Sequence, residues 1–347
     1  MVAGGGHDDR NLDVNPDDRH LEVNPDDRNL DVNPGDRHLE VAPGDRHLDV
    51  NPGDRHLDVN PDDRHLDVNP DDRHLEVNLA NWEARVPVHA ASAEYALERY
   101  VADPAHLSDV VAADAQHLGD LTGLDVVHLQ CHIGTDTVSL ARLGGRVSGV
   151  DFSPSALQVA RDLSVRSGTP ATFVESEVYS ADTLLGPSFD LVYTSVGAIT
   201  WLPSIARWAQ VVAGLLRPGG RLYLRDAHPM LLTVDETRDD DLLVITHPYF
   251  ERAGGQRWTD ATTYAGNGEV ASPDTIDFPH GIGETVQAVL NAGLTLTRLH
   301  EGTTLDWRFA PWMEPVGDGS GRWRMPADRR DLVPTEFTLE AVLADPR

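Results

Sequence analysis

The stretch from residue 128 to residue 153, HLQCHIGTDTVSLARLGGRVSGVDFS, has the residue types of a nucleotide-binding loop. It predicts a strand, a turn, a helix and a second strand that ends on Asp151, an acid suited to ribose hydroxyls. A dinucleotide fingerprint needs three glycines, but only Gly134 is present, and Gln130 and His132 stand where glycine is expected. The loop therefore favours a ligand with an amino-acid tail over one whose pyrophosphate needs close backbone approach.

The elements that must position this loop alternate between strand and helix. Consecutive βα units form a parallel sheet with helices on both faces, so the sequence predicts a doubly wound α/β fold. In such a sheet, ligands bind beyond the carboxyl ends of the strands, where the strand order reverses. Strands are predicted at 126–130, 146–151, 171–176, 189–196, 221–228, 294–301 and 337–343, and helices at 81–117, 135–144, 153–168, 202–220 and 283–293.

Changes in composition divide the chain into five parts. Residues 229–280 are polar and Gly-rich and interrupt the alternation of strands and helices, which indicates an insertion or lid. The expected parts are an acidic repeat tail at 1–77, a helical cap at 78–122, a cofactor-binding core at 123–228, the insertion at 229–280, and a C-terminal helix and strands that complete the sheet at 281–347.

A nine-residue repeat, NPDDRHLEV with small variations, runs from Asn15 to the start of the cap. Each unit has one Pro and only two apolar residues, too few to offset the entropy of ordering the chain, which predicts a disordered tail. Two alternatives are a calcium-binding β-roll, which needs paired glycines where this repeat has Pro, and a transition-metal tract built from the recurring His and Asp.

Charge and cysteine content restrict the partners. The formal net charge of −29 argues against a nucleic-acid backbone or an anionic membrane surface. Cys131 is the only cysteine, which excludes an internal disulfide framework and a Cys-based zinc site, so no metal is expected and a reducing cytoplasm is the expected location.

The N-terminus has no apolar signal region, and no run of about 18 apolar residues exists, so neither secretion nor a membrane span is expected.

Five motifs in order carry a resemblance to a known family: VVHLQCHIGTDT, GVDFS, FVESEVY, FDLVYTSVGAITWL and LLRPGGRLYL. Together they resemble the class I S-adenosylmethionine-dependent methyltransferases, over about residues 79–345. The first motif is similar to that of the group with an HLQCH-x-G-x-D-T form, and His128 stands where the family usually has Asp or Glu. The resemblance implies a Rossmann-like, mostly parallel sheet of seven strands and S-adenosylmethionine as cofactor.

The resemblance also implies which residues hold that cofactor. The backbone from Gln130 to Gly134 would lie against the methionine moiety, Asp151 would accept hydrogen bonds from the ribose, and Phe152 would pack on the adenine. The full implied set is Gln130, Cys131, His132, Gly134, Asp151, Phe152, Glu177, Val178 and Ser195. Plainer alternatives stay open: Asp151 as a helix-capping acid, Phe152 as core, Glu177 as solvated surface, and Cys131 and His128 as buried packing residues.

The acceptor side of the site is less defined by sequence. A general base is needed only if the acceptor must lose a proton early, and the candidates are Asp226 and His228 after the fifth strand. His89 and Tyr95 from the cap and Trp201 are candidate acceptor-binding residues. Trp201, Trp258, Trp307 and Trp312 are equally compatible with an aromatic pocket and with core and lid packing. A small-molecule acceptor is expected, because no basic stripe exists to hold nucleic acid.

Two other classes of protein are compatible with the same sequence. One is a nicotinamide-dependent oxidoreductase, against which the missing glycines argue. The other is a non-catalytic binding protein on the same fold.

Overall fold

The computed structural model describes residues 73–240 and 242–345 of the chain. The predicted disordered tail lies outside them, except for its last five residues, which are helical. Helix α1 begins at Arg73, so the cap starts before the boundary predicted at residue 78. The cap is also not one helix but three: α1 Arg73–Ala90, α2 Leu97–Ala102 and α3 Asp109–Leu118.

Strands and helices alternate through the middle of the chain, as the sequence predicts. Ser153 caps α5 by accepting a hydrogen bond from the Ala156 N–H, and Pro154 occupies the first helical position. The elements are β1 Asp125–Leu129, α4 Thr135–Arg142, β2 Arg146–Asp151, α5 Pro154–Arg166, β3 Thr172–Glu175, α6 Ala181–Leu185, β4 Phe189–Thr194, α7 Ile205–Leu215 and β5 Leu216–Ala227.

The last part of the chain adds strands to this sheet and contains smaller sheets of its own. Its elements are β6 Gln256–Thr259, β7 Asp274–Asp277, α8 Ile282–Asn291, β8 Leu294–Gly302, β9 Thr304–Leu305, β10 Glu314–Pro315, β11 Trp323–Arg324 and β12 Glu336–Leu343. The antiparallel pair β6–β7 lies in the predicted insertion. The three-stranded sheet β10-β11-β9 between β8 and β12 was not predicted from the sequence, because strands of two residues carry no readable alternation.

The central sheet has seven strands in the order β3-β2-β1-β4-β5-β12-β8. The strands β1 to β5 pair in parallel, and β12 is antiparallel to both of its neighbours, β5 and β8. The predicted Rossmann-like, mostly parallel, seven-stranded fold is therefore confirmed. The strand order reverses between β1 and β4, so the ligand crevice of such a sheet is expected at the carboxyl ends of these two strands.

Helices cover both faces of the sheet and bury its apolar side chains. On one face, Trp208 of α7 is fully buried in the largest hydrophobic cluster, with residues of β1, β4, β5, β12 and α8. On the other face, Val111 and Leu118 of α3 pack with Tyr193 and Tyr223. Within the described ranges, no helix is both long and apolar enough to cross a membrane.

Candidate functional site

The loop between β1 and α4 stands at the crevice where the strand order reverses. Two of its residues have left-handed backbone conformations, Gln130 with φ 56° and His132 with φ 48°. For residues other than glycine, such conformations cost about 1–2 kcal/mol each. They recur at functional sites where surrounding contacts hold them in place. At both positions, where the dinucleotide fingerprint has glycine, a glycine would therefore adopt the observed conformation with a lower cost in free energy.

The side chain of Gln130 joins the two sides of the crevice. Its Nε2 donates a hydrogen bond of 2.9 Å to the carbonyl of Ala198, which follows β4. Its Oε1 is buried and has no hydrogen-bond partner among the described residues. A buried amide oxygen without a donor is costly, so this atom is suited to receive a donor from a ligand.

Gly134 is required for close packing of the loop against α5 and β3, and its predicted contact with a ligand stays a prediction. Its φ is 81°, and a Cβ added here would lie 2.6 Å from Cβ of Ala160 in α5 and 3.1 Å from Phe173. The third glycine of a dinucleotide fingerprint has the same task of bringing helix and strand close together.

Cys131 contributes its backbone to the loop and its side chain to the core. Its N–H donates to the Val150 carbonyl at 2.9 Å, and its thiol packs with Leu157, Ala160 and Phe173. Burial raises the pKa of the Cys131 thiol well above its usual range. The residue is therefore a small buried hydrophobe, as the plainer alternative has it, and not a thiolate nucleophile.

Asp151 ends β2 beside this loop and holds it. Its Oδ2 accepts a hydrogen bond of 2.8 Å from the His132 N–H, and its Oδ1 accepts one of 2.9 Å from the Ser153 N–H. Burial raises the pKa of this carboxyl from 3.8 to about 6, against the opposing effect of these backbone donors. Each carboxylate oxygen has a second lone pair, so hydroxyl donors of a ligand can still be accepted here.

The residues expected to contact an adenine lie around Asp151. Phe152 follows it and is half-buried, so its ring is accessible. Glu177 is half-buried after β3, with Arg207 at 4.0 Å and the Ser180 hydroxyl at 3.4 Å as distant partners. Val178 is buried in the main hydrophobic cluster. Its side chain is therefore not available to the adenine ring, and a contact through its backbone stays a prediction.

His128 and Ser195 meet beneath the crevice. The buried His128 ring is hydrogen-bonded to the Thr137 hydroxyl at 2.9 Å and to the Ser195 hydroxyl at 3.3 Å. Burial lowers the pKa of His128 to about 3, so the ring is neutral. This matches the prediction of a satisfied buried histidine, and it places Ser195 at the carboxyl end of β4.

Helix α1 crosses the mouth of the crevice with Trp82. The Trp82 ring makes edge contacts with the His132 ring at 4.9 Å and with the Trp201 ring at 5.4 Å. Trp201 is itself fixed by a 2.7 Å hydrogen bond from its indole N–H to the Gly197 carbonyl. One side chain of the cap therefore bridges the loop after β1 and the loop after β4.

A chain of hydrogen bonds extends from His132 into the cap and the insertion. His132 Nε2 and His89 Nδ1 are 2.9 Å apart, and His89 Nε2 is 2.6 Å from the hydroxyl of Thr263. Arg85 donates to that hydroxyl at 3.1 Å. Burial lowers the pKa of His89 to about 4 and that of His132 well below its usual range, with a further lowering by the Arg85 charge, so both rings are neutral.

Tyr95 completes this group. Its ring stacks on His89 at 5.1 Å, and its hydroxyl is hydrogen-bonded to that of Tyr264 at 2.5 Å. The structure thus brings together the three predicted acceptor residues. His89 and Tyr95 lie around His132, and Trp201 is connected to His132 through the Trp82 ring.

Asp226 does not have the environment of a general base. Its carboxylate accepts hydrogen bonds from the backbone N–H groups of Gly197 at 2.5 Å, of Ala198 and Ile199 at 3.2 Å each, and of Ala227 at 2.7 Å. Burial raises the pKa of Asp226 to about 6, but four donors occupy its oxygens. We assign it to holding the turn after β4, and this environment does not favour the predicted role as a general base, which stays a prediction.

His228 is turned toward the far end of the sheet. Its Nδ1 accepts from the Met230 N–H at 3.1 Å, and its Nε2 lies 2.8 Å from Glu301 on the edge strand β8. Both ring nitrogens are therefore engaged, and the partner carboxylate lies away from the β1–β4 crevice. These contacts do not favour the predicted role of His228 as a general base, which likewise stays a prediction.

The other tryptophans serve packing. Trp307 and Trp312 pack against a buried cluster with Met313 and Met325 in the segment between β8 and β12. Trp258 donates its indole N–H to Asp277 across the β6–β7 pair. Of the four tryptophans considered from sequence, only Trp201 lies at the crevice.

Sequence reasoning missed four residues of the site: Trp82, Arg85, Thr263 and Tyr264. Trp82, Arg85 and His89 recur at spacings of three and four, which places them on one face of a helix, and this was the available signal. Nothing local marks Thr263 or Tyr264, because they reach the site from the insertion.

Comparisons with known proteins agree with this core. A family model described as "Methyltransferase domain" matches residues 127–222, a range that contains the loop after β1, Asp151 and β4. The ubiquinone biosynthesis O-methyltransferase of Xanthomonas axonopodis pv. citri is 34% identical over 86 residues, which are 25% of this chain and 36% of the relative. That of Photorhabdus laumondii is 32% identical over 85 residues, 24% of this chain and 35% of the relative. The chain thus spans about a third of the length of the curated relatives it matches.

Solved structures with similar coordinates include two S-adenosylmethionine-dependent methyltransferases. The one from Mesorhizobium loti aligns with 67% of this chain and 96% of its own, with 20% identity and a TM-score of 0.47. The one from Methanosarcina mazei aligns with 67% of this chain and 97% of its own, with 15% identity and a TM-score of 0.45.

Proposed function

We propose that this protein is an S-adenosylmethionine-dependent methyltransferase that transfers a methyl group to a small-molecule acceptor. The observation that carries the proposal is the position of Asp151. It ends the strand next to β1, binds the loop at 130–134 and keeps acceptor capacity for ribose hydroxyls at the strand-order reversal. The family match over residues 127–222 supports it, and so does the HLQCH form of the first motif.

The residues at the crevice fit this cofactor. Asp151 would hold the ribose, Phe152 would cover one face of the adenine, and Glu177 would meet the adenine amino group. The orphaned Gln130 Oε1 would accept from the ammonium group of the amino-acid tail. When bound, the cofactor supplies an electrophilic methyl on a sulfonium that leaves readily.

What remains for the protein is to position the acceptor and exclude water. Ser195 and Gly197 end β4 on one side of the crevice, and Trp82 covers it from the cap. Tyr95 and Trp201 would contact the acceptor, and the fully buried His89 would act through His132. Positioning in this way reduces the barrier by about 7–11 kcal/mol in favourable systems. We assign no side chain as general base, because Asp226 and His228 are occupied by other partners.

The acceptor is proposed to be small. The net charge of −29 disfavours nucleic acid as a partner, and the curated relatives are named as methyltransferases of ubiquinone biosynthesis. The single, buried cysteine fits a reducing cytoplasm as the location.

A thermal-shift series on the full-length protein tests the proposal. S-adenosylmethionine, S-adenosylhomocysteine and NAD are added separately, each at concentrations up to 100 times a micromolar dissociation constant, where binding adds about 2.7 kcal/mol to stability. Stabilisation by the two sulfur nucleotides alone supports the methyltransferase. Stabilisation by NAD alone identifies the oxidoreductase alternative, and no shift with any of the three rejects the proposal.

Two Asp variants locate the site in this experiment. Asp151→Asn should reduce the shift caused by S-adenosylhomocysteine. Asp125→Asn is the matched control, because Asp125 begins β1 at the opposite end of the sheet and pairs with Arg146 at the surface. Binding without turnover of any acceptor would favour the non-catalytic alternative.

A further inference from the structure

Arg85 is a half-buried cation that forms no salt bridge in the part of the chain that the structure describes, and the nearby acid Asp260 acts on it only through space. Its Nε donates to Asn81 Oδ1 at 2.6 Å and its Nη1 to the Thr263 hydroxyl at 3.1 Å, and both acceptors are neutral. By contrast, the buried Arg225 forms salt bridges with Asp114, Asp306 and Glu336. A half-buried guanidinium that no carboxylate contacts is suited to receive negative charge from a ligand.

The hydrogen-bond chain that starts at Arg85 has a direction. Since Arg85 can only donate, Thr263 Oγ1 accepts from it. We assign the Thr263 hydroxyl as the donor to His89 Nε2, because this nitrogen is its only acceptor among the described residues. His89 then carries its proton on Nδ1 and donates to His132 Nε2. This network therefore assigns the remaining proton of the neutral His132 ring to Nδ1.

His132 Nδ1–H is the open end of this chain. No described residue accepts a hydrogen bond from it, while the backbone N–H of the same residue is fixed to Asp151. Each member donates away from Arg85, so the dipoles of the chain extend the positive potential of the guanidinium to the crevice. With a proton on Nδ1 and with Nε2 accepting from His89, the His132 ring has no free lone pair with which to act as a base.

We propose that His132 Nδ1–H, oriented by His89, Thr263 and Arg85, forms a subsite for a ligand carboxylate. This rests on the proposed function and deepens it. His132 contacts the ligand, and Arg85 and Thr263 are positioning residues. The carboxylate has two sources, the amino-acid tail of the cofactor or an acid group on the methyl acceptor, which would lie among the rings of Trp82, Trp201 and Tyr95.

Calorimetric titrations of the full-length protein with matched ligands test the subsite. S-adenosylhomocysteine is compared with 5′-methylthioadenosine, which has the same nucleoside thioether without the amino-acid tail. Benzoate is compared with benzamide, its neutral analogue, in the presence and absence of S-adenosylhomocysteine. For each pair, the ratio of the two dissociation constants reports the contribution of the carboxylate.

Three variants and one control are measured. His132→Phe keeps the ring against Trp82 and removes the donor, Arg85→Gln removes the charge, and Thr263→Val removes the hydroxyl that orients the chain. The control is Arg99→Gln, which removes an exposed arginine of the cap. Thermal unfolding of each variant identifies any loss of folding. If His132→Phe fails to fold at its left-handed position, Arg85→Gln and Thr263→Val decide the outcome.

If the carboxylate is that of the cofactor, the preference for S-adenosylhomocysteine over 5′-methylthioadenosine falls about tenfold or more in His132→Phe and several-fold in the other two variants. If it is that of the acceptor, the preference for benzoate over benzamide falls instead. Either result supports the subsite, with Arg99→Gln unchanged.

Two results overturn it. In the first, the wild-type protein binds S-adenosylhomocysteine no more tightly than 5′-methylthioadenosine and benzoate no more tightly than benzamide. In the second, all three variants keep the preferences of the wild type for both ligand pairs. Failure of the proposed function is recognised separately, because neither nucleoside would then bind while the benzoate comparison on the free protein still reports on the subsite.

Discussion

The Asp151 carboxylate accepts a hydrogen bond of 2.8 Å from the backbone N–H of His132. The end of β2 therefore holds the loop after β1, and the acid expected to bind a ribose also fixes the backbone expected to face the amino-acid tail. One carboxylate links the two halves of the candidate cofactor site, so a change at Asp151 should affect both.

We predict that Asp151 makes the free protein less stable as pH rises. Burial raises the pKa of this carboxyl from 3.8 to about 6, so its favourable contribution is full below pH 4 and is lost as pH rises through 6. The loss is about 3 kcal/mol. Asp151→Asn does not titrate, so its stability relative to the wild type should increase between pH 4.5 and pH 7.5. Urea unfolding at both pH values measures this, and a constant difference would refute the assigned pKa shift.

Gly134→Ala should destabilise the protein by about 2–5 kcal/mol. A left-handed φ costs alanine about 1–2 kcal/mol, and overpacking against Ala160 adds about 1–3 kcal/mol. Gly168→Ala is the control, because Gly168 also has a left-handed φ but open space around its Cβ position, and we expect about 1 kcal/mol there.

The double variant Gly134→Ala/Ala160→Gly separates the two causes. Removing the Ala160 methyl should restore most of the free energy of unfolding that overpacking removes. The glycine introduced inside helix α5 costs about 1 kcal/mol of this gain. Denaturant unfolding of the four proteins gives the coupling energy. Strictly additive effects would mean that Gly134 is not in contact with α5.

Arg225→Met should destabilise the protein by about 3–5 kcal/mol, because it leaves the buried Asp114 carboxylate without its cation and leaves Asp306 and Glu336 with Arg322 alone. Arg146→Met should cost no more than about 1 kcal/mol, since Arg146 pairs with Asp125 at the surface. Equal losses of unfolding free energy in the two variants would contradict the assignment of the Arg225 cluster as a buried ion network.

Trp82 should report ligand binding by its fluorescence. It lies between His132 and Trp201 across the crevice, so a ligand that enters must change its surroundings. Addition of S-adenosylhomocysteine should change the emission of the wild type and of Trp307→Phe, whose indole packs in the C-terminal segment. In Trp82→Phe most of the change should be lost. A full response in that variant would mean that α1 does not cover the site.

The sequence predicts the core of the fold well because its signals are local. The bounds of β2, 146–151, agree with the structure, and the turn chemistry at Ser153 and Pro154 marks the start of α5. Asp151 could be placed at the site because the end of a parallel strand next to β1 has a fixed position relative to the strand-order reversal.

The parts that sequence missed depend on contacts between distant residues. Arg85 and Thr263 are 178 positions apart and meet only because the insertion packs on the cap. Asp226 was expected to be a base from its place at the end of the fifth strand, but the turn after β4 supplies three backbone donors and Ala227 a fourth, which no local pattern reveals. The same holds for Gly134, whose need for a small side chain comes from Ala160 in the following helix.

The cofactor assignment can be tested with a crystal structure of the protein grown with S-adenosylhomocysteine. We expect density for the nucleoside at the β1–β4 crevice, with the ribose hydroxyls on Asp151, the adenine on Phe152 and the amino-acid tail along residues 130–134. Density for the ligand elsewhere, or a crevice that stays closed by Trp82 at saturating ligand, would contradict it.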